Sequence, residues 1–274
     1  MSSLLDTVFP KGSAAPGDEP RRLTVPGLEQ LLTWGDLEHI LATSCFDGPG
    51  SATIQKFLSL PDPGMSRVCV LTNGEAIWRA PRTTSTEELR RRLGGSTLRV
   101  EALEEVHPPL AGIAATLSRP GAPVYINAYA AWGNQKGLAL HYDYTDNLVL
   151  QLSGRKHWKI YRPTREAVPG PASSAYKEGI QAAARGEAGG DAEELRRVRS
   201  GLFWEGELSA GDALYVPPGW FHEVTPVGVP TLHLACAFSA TEGESAVVPP
   251  AIRLPDELQT AGANEPEHAR GEQR

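Results

Sequence analysis

The 274-residue chain has no run of 18 apolar residues and no basic segment leading into an apolar one, so no membrane span or secretory leader is indicated and a cytoplasmic protein is expected. It has three cysteines, Cys45, Cys69 and Cys236, far apart and without a C-x-x-C pair. Neither a disulfide framework nor a cysteine-based zinc site follows. Basic residues are outnumbered, 26 Lys and Arg against 33 Asp and Glu, for a formal charge of -7. That balance argues against a broad nucleic-acid footprint, because phosphate binding needs a basic face. It suits a basic protein or peptide substrate, and solubility explains it equally well. No internal repeat is evident, and no Ser/His/Asp or Cys/His set for nucleophilic catalysis is present.

Two stretches carry the chemistry, GLALHYDYTDNLVLQLSGRKHWKIY over 137–161 and GDALYVPPGWFHEV over 211–224. Side chains at i and i+2 of a strand share a face, so His141 and Asp143 can point together into a barrel mouth. His222 follows the rigid Pro217-Pro218-Gly219 turn and can supply a third donor. Two histidines and one carboxylate make a facial triad, the ligand set of non-haem Fe(II) oxygenases, which leaves positions open for a bidentate co-substrate and O2. Alone, an H-x-D pair is also read as a hydrogen-bonded pair at a strand end. Lys156 lies past the next strand and a Ser153-Gly154 turn, where its ammonium either returns to the same cavity to clamp a carboxylate or sits solvated at the turn.

Taken together, Asn127-x-Tyr129, Gly137-Leu138, His141-Tyr142-Asp143, Gln151-Leu152, Gly154, Lys156, Trp158, Tyr161, Gly211-Asp212, Leu214-Tyr215, Pro217–Gly219 and His222 resemble the JmjC-type, cupin-fold 2-oxoglutarate oxygenases. The branch most similar contains the ribosomal-protein hydroxylases and their bacterial relatives. The resemblance is close over residues 120–240 and loose before them. It implies a mainly β fold with flanking helices, a double-stranded β-helix or jelly roll. It implies His141, Asp143 and His222 as iron ligands, Lys156 as partner of the distal carboxylate of 2-oxoglutarate, and Asn127 and Tyr129 lining the co-substrate pocket. The latter two also read as ordinary strand residues. A hydroxyl on the strand after His222 often completes such a pocket, and Thr231 and Ser239 are the candidates. The chain departs from that branch after the barrel, where about 35 residues stand in place of a helical dimerisation region and a winged-helix domain.

Along the chain, residues 1–26, rich in Pro, Gly and charge from residue 10, read as an extended or mobile lead-in, and 27–120 as a helical and mixed part packed on the barrel. Helices are expected over Thr33–Ser44, with Thr33 and Asp36 as a capping box, from Ser85 to Gly94-Gly95, and over 110–119 up to the break at Pro120-Gly121. Arg90, Arg91 and Arg92 read as a solvated helix face or a substrate patch. Residues 121–240 form the barrel, about eight strands, with an insertion at 163–201 that is a lid, a substrate selector or a tolerated surface addition. Trp132 lines a substrate mouth or packs, and His233 is a core histidine or a fourth polar group near the metal. Residues 241–274 read as a partly disordered tail.

The expected function is Fe(II)- and 2-oxoglutarate-dependent hydroxylation, with demethylation of an N-methyl carbon as a variant. The expected partners are a protein, peptide or small-molecule substrate, with no nucleic acid and no membrane, and a homodimer left open. Two other classes use the same barrel: a metal enzyme that ignores 2-oxoglutarate, and a non-catalytic cupin that binds a ligand.

Overall fold

The computed structural model describes residues 19–45, 65–81, 85–118, 124–166, 171–228 and 230–238. The 241–274 tail, Ser239 and the first part of the lead-in lie outside them. Among the described residues no helix is long and apolar enough to cross a membrane.

Strands β1 (Arg21–Thr24), β2 (Met65–Thr72), β3 (Glu75–Pro81), β4 (Thr97–Val100), β5 (Tyr125–Ala131), β6 (Asp146–Ser153), β9 (Asp212–Val216) and β11 (Thr231–Phe238) form one antiparallel sheet in the order β1-β9-β6-β11-β5-β4-β2-β3. Strands β7 (Arg155–Tyr161), β8 (Leu202–Ser209) and β10 (Phe221–Pro226) form a second, in the order β10-β7-β8. Val149 and Leu214 of the first sheet pack against Trp158, Ile160 and Leu208 of the second, so the sheets face each other as in a jelly roll.

Period-two alternation decides what each face of the large sheet does. Ile126, Ala128 and Ala130 of β5, Leu148, Leu150 and Leu152 of β6, and Leu232, Leu234 and Cys236 of β11 turn outward into the main core. There they meet helices α1 (Trp34–Ile40), α2 (Thr86–Leu93) and α3 (Pro108–Leu117) through Leu37, Ile40, Leu89, Leu110 and Ile113. The alternate residues, Asn127, Tyr129, His233 and Val149, line an inner cavity of about 950 Å³. Helix α1 carries the expected capping box, with Thr33 and Asp36 bonded reciprocally.

Three strands were absent from the sequence reading. The end of the lead-in is extended: β1 pairs with β9, and Arg22 and Thr24 bond the Asp212 carboxylate at 2.9 and 3.2 Å. The β2–β3 hairpin turns at Asn73-Gly74, both at positive φ (48° and 97°), the combination that fits a tight hairpin to strand twist. β3 and β4 escaped notice because charged residues interrupt their apolar pattern. Arg79 and Arg99 both bond Glu101, at 2.5 to 2.8 Å, and Arg79 and Glu101 are almost wholly buried. Removing the carboxylate would leave two guanidinium groups facing each other out of water. Glu101→Ala is therefore expected to destabilise the fold by about 3–5 kcal/mol in a denaturant titration.

The segment 138–142, expected as a strand, is instead held by isolated bridges. Leu138 pairs with Gly74 and His141 with His222. The insertion forms α4 (Pro171–Arg185) and α5 (Ala192–Ser200). Tyr176 and Ile180 of α4 and Leu195 and Val198 of α5 pack on Leu140, Tyr142, Tyr161 and Phe221, giving the insertion an apolar seat on the barrel.

Candidate metal centre

His141 and His222 exchange both backbone hydrogen bonds, His141 N–H to His222 carbonyl at 3.1 Å and the reverse at 2.7 Å. Residues paired in this way project their side chains on one face, and the two rings lie 4.3 Å apart between centroids. Asp143, two residues on, shares that face. Its backbone carbonyl accepts from Gly219 N–H at 2.9 Å, which ties the segment to the Pro217–Gly219 turn. One donor atom from each of His141, Asp143 and His222 lies within 4.8 Å of the others. The three donors of a facial set sit at adjacent corners of an octahedron, about 3.0 Å apart for bonds of about 2.1 Å, and His222 Nε2 and Asp143 Oδ2 stand 3.7 Å apart, so side-chain rotations toward a shared cation close the set.

The rings are oriented for this. Nδ1 of His141 lies 2.7 Å from the Ala139 carbonyl, and Nδ1 of His222 lies 3.2 Å from the Trp220 carbonyl. A carbonyl only accepts, so Nδ1 carries the proton on each ring and Nε2 presents its lone pair. Burial lowers the pKa of both imidazoles, with each other's proximity adding to the effect at His141, so both stay neutral and ligand-ready. Asp143 is held below the ordinary carboxylate range: burial works the other way and is outweighed by its polar surroundings, the two imidazoles, the Lys177 ammonium and the Asn147 amide. Asn147 Nδ2 donates to the same carboxylate at 3.2 Å.

Lys156 occupies the deeper part of the cavity, 2 % exposed. Its ammonium donates to the Tyr129 carbonyl at 3.2 Å and to His233 Nδ1 at 2.7 Å, and no carboxylate within ion-pair reach is found among the described residues. Burial lowers its pKa to about 7. His233 therefore accepts from Lys156 through Nδ1, and its ring stacks on Tyr129 at 4.8 Å. Tyr129 lies in a row set by strand register that runs Arg79, Cys69, Arg99, Tyr129, His233, Gln151 across the large sheet. Asn127, one step along β5, is buried, lines the cavity and accepts from the Ala102 N–H at 3.3 Å. Thr231 is buried and its hydroxyl accepts from Gln151 at 2.9 Å. The Lys156 position depends on Gly154 (φ +66°), where a Cβ would lie 2.4 Å from the Pro230 carbonyl oxygen.

Trp132 is 45 % exposed, its ring lies 5.2 Å from Trp34, and it is not among the residues that line the cavity. Arg91 and Arg92 bond Glu88 on their own helix. Sequence reasoning missed three contributors. Trp158, at i+2 from Lys156 on β7, lines the cavity with its buried indole N–H unpartnered among the described residues. Tyr144 lines it too, its hydroxyl likewise buried and unpartnered. From the insertion come Lys177, Gln181 and Arg185, at i, i+4 and i+8 of α4, a spacing that puts all three on one helix face. That polar stripe was visible in the sequence beside the apolar one.

A family model for the JmjC domain matches residues 105–245. Curated relatives include the bifunctional lysine-specific demethylase and histidyl-hydroxylase NO66 of Brugia malayi, 32 % identical over 139 residues, 48 % of this chain and 17 % of that one. The same-named protein of Dictyostelium discoideum is 32 % identical over 111 residues, 39 % of this chain and 18 % of that one. The chain thus matches less than a fifth of the length of these relatives. Among solved structures, the Escherichia coli ribosomal oxygenase YcfD in complex with cobalt and 2-oxoglutarate aligns over 91 % of this chain and 64 % of its own, with 16 % identity and a TM-score of 0.48.

Proposed function

The chain belongs to the JmjC-domain family, and on that premise we propose that it is an Fe(II)- and 2-oxoglutarate-dependent oxygenase that hydroxylates a protein, peptide or amino-acid-like substrate. One observation carries the proposal: two outward-facing Nε2 atoms and a carboxylate converge in the same cavity as a buried ammonium that lacks a counter-ion among the described residues. The donor set fits a ferrous ion, two neutral imidazoles and one anion leaving it a net positive charge. Held by these residues, a ferrous ion with 2-oxoglutarate and O2 would supply the oxidising chemistry for the C–H bond, the keto acid being converted to succinate and CO2.

The residues of the chain do the rest. His141, Asp143 and His222 would hold the metal, their rings fixed by the Ala139 and Trp220 carbonyls. Lys156 would hold the distal carboxylate of 2-oxoglutarate, with Tyr129 and Asn127 along the same wall and the Trp158 indole N–H as a further donor. The facing sheets and the seated insertion would exclude water from the reacting groups. The catalytic unit is placed in residues 121–240, with 27–120 contributing strands as well as helices. A cytoplasmic setting, where iron stays ferrous and the buried thiols of Cys69 and Cys236 stay reduced, suits this chemistry. The names of the relatives point to a protein side chain as substrate. Purified protein given Fe(II), 2-oxoglutarate and air is expected to release succinate, raised further by substrate. No succinate from fully metallated protein would overturn the reading in favour of a binding module or another metal enzyme.

A further inference from the structure

Four cations line the cavity, and all but one have an evident partner or role. Arg99 bonds Glu101 at 2.5 Å, Lys156 faces the proposed co-substrate, and Arg185 of α4 pairs with Glu75 at 3.3 Å and with Glu187 at 2.6 Å. Lys177 is left. It comes from the insertion and is half-buried, its ammonium 5.3 and 5.4 Å from the ring centroids of Tyr142 and Tyr144, with no ion pair among the described residues. The charge it feels is that of Asp143, which pulls its lowered pKa back up after burial has pushed it down. A metal at the triad would engage that carboxylate and leave Lys177 beside a net positive centre. Tyr144 adds a second unmet donor, since its hydroxyl is buried in the cavity wall without a partner among the described residues. The site is built and fixed: Tyr176 and Ile180, an apolar stripe beside the polar one, seat α4 against Leu140, Tyr142 and Phe221, the neighbours of the proposed ligands.

We infer that Lys177, with Tyr144, is the substrate-selecting pair of this cavity and binds a carboxylate of the substrate close to the carbon to be hydroxylated. The inference rests on the oxygenase reading and narrows it to acidic substrates. An ammonium and a phenol are both donors, so an anionic acceptor satisfies both where a guanidinium or a second ammonium would be repelled. The carboxylate belongs either to an Asp or Glu side chain in a peptide or to a free amino acid.

The test is direct binding to the Zn(II)-loaded protein with 2-oxoglutarate present, followed by tryptophan fluorescence. The probes are capped tripeptides with Asp, Glu, Asn, His, Arg or Lys at the centre, and free aspartate and glutamate. Acidic probes are expected to bind roughly tenfold or more tightly than their neutral or basic counterparts, as a charge-assisted contact requires. Lys177→Gln should erase that preference, Lys177→Arg should largely restore it, and Lys177→Glu should turn it toward the basic peptides. Retention of the fold in each variant is checked by thermal melting. Capped acidic peptides binding best identifies a side-chain carboxylate, and the free amino acids binding best identifies an α-carboxylate. Equal binding of all probes, or a preference unchanged in Lys177→Glu, overturns the assignment. Failure of the native protein to bind 2-oxoglutarate at all refutes the oxygenase reading instead, and is seen separately in the first titration.

Discussion

Asp143→Ala and His222→Ala are each expected to lower divalent-metal affinity by more than about a hundredfold and to abolish 2-oxoglutarate turnover. The lower bound comes from the fact that losing a residue that only orients a metal ligand already costs about 10- to 100-fold in affinity. In this chain the candidate ligands are few: among the described residues the only group of three clustered His, Cys, Asp or Glu side chains is His141, Asp143 and His222. Without Asp143 the two imidazoles keep their Nδ1 bonds to Ala139 and Trp220 but no longer have a negative charge opposite them to offset that of the cation. Titration with Co(II), followed by its absorption, gives the affinity, and succinate release gives the turnover. A variant that binds metal as the native protein does would remove the centre from the mechanism.

Lys156→Met should have two opposite effects. It should weaken 2-oxoglutarate binding by roughly 10- to 100-fold, the worth of a charge-assisted hydrogen bond in a buried site. It should also stabilise the unliganded protein at pH 6.5 by about 1–4 kcal/mol, because a buried ammonium facing only the Tyr129 carbonyl and His233 gives way to an apolar chain of similar length. The pH dependence fixes the sign. Burial lowers the pKa to about 7 from its ordinary 10.5. Between those values the unfolded chain holds more protons than the folded one, so this residue's cost to stability is full below pH 7 and falls as pH rises toward 10.5. A dianionic co-substrate reverses the shift. Binding at pH 8 should therefore take up a proton, measured as a dependence of the calorimetric heat on buffer ionisation enthalpy, and affinity should decline with rising pH above 7. Native-like affinity in Lys156→Met would assign the distal carboxylate to another group.

The insertion, which reads from its sequence equally as a lid, a substrate selector or a surface addition, lines the cavity through one face of α4. Its alternating apolar and polar stripes were local and legible, Tyr176 and Ile180 beside Lys177 and Gln181. What they packed on was not, because Leu140, Tyr142 and Phe221 are apolar residues whose partners lie on other elements. The Asn73-Gly74 turn likewise announced a hairpin, yet β3 was missed since Arg79 breaks its apolar pattern. Arg79 is tolerated there only because Glu101, 22 residues later, meets it across the sheet.

The amino-acid sequence alone determined the alternation that turns His141 and Asp143 the same way, the stiff turn before His222, and the cap and breaker residues that delimit most of the helices. These depend on spacings of two to four residues, which are properties of a strand, a turn or a helix taken singly. Only the tertiary structure decided that His141 and His222 bond backbone to backbone, that Lys156 meets His233 from 77 positions away, and that Lys177 lies over the Tyr142 and Tyr144 rings with no ion pair among the described residues. Those outcomes depend on strand register and on the seating of α4. Charge pairing between distant segments follows from which residues the fold brings opposite one another, and no local pattern encodes that.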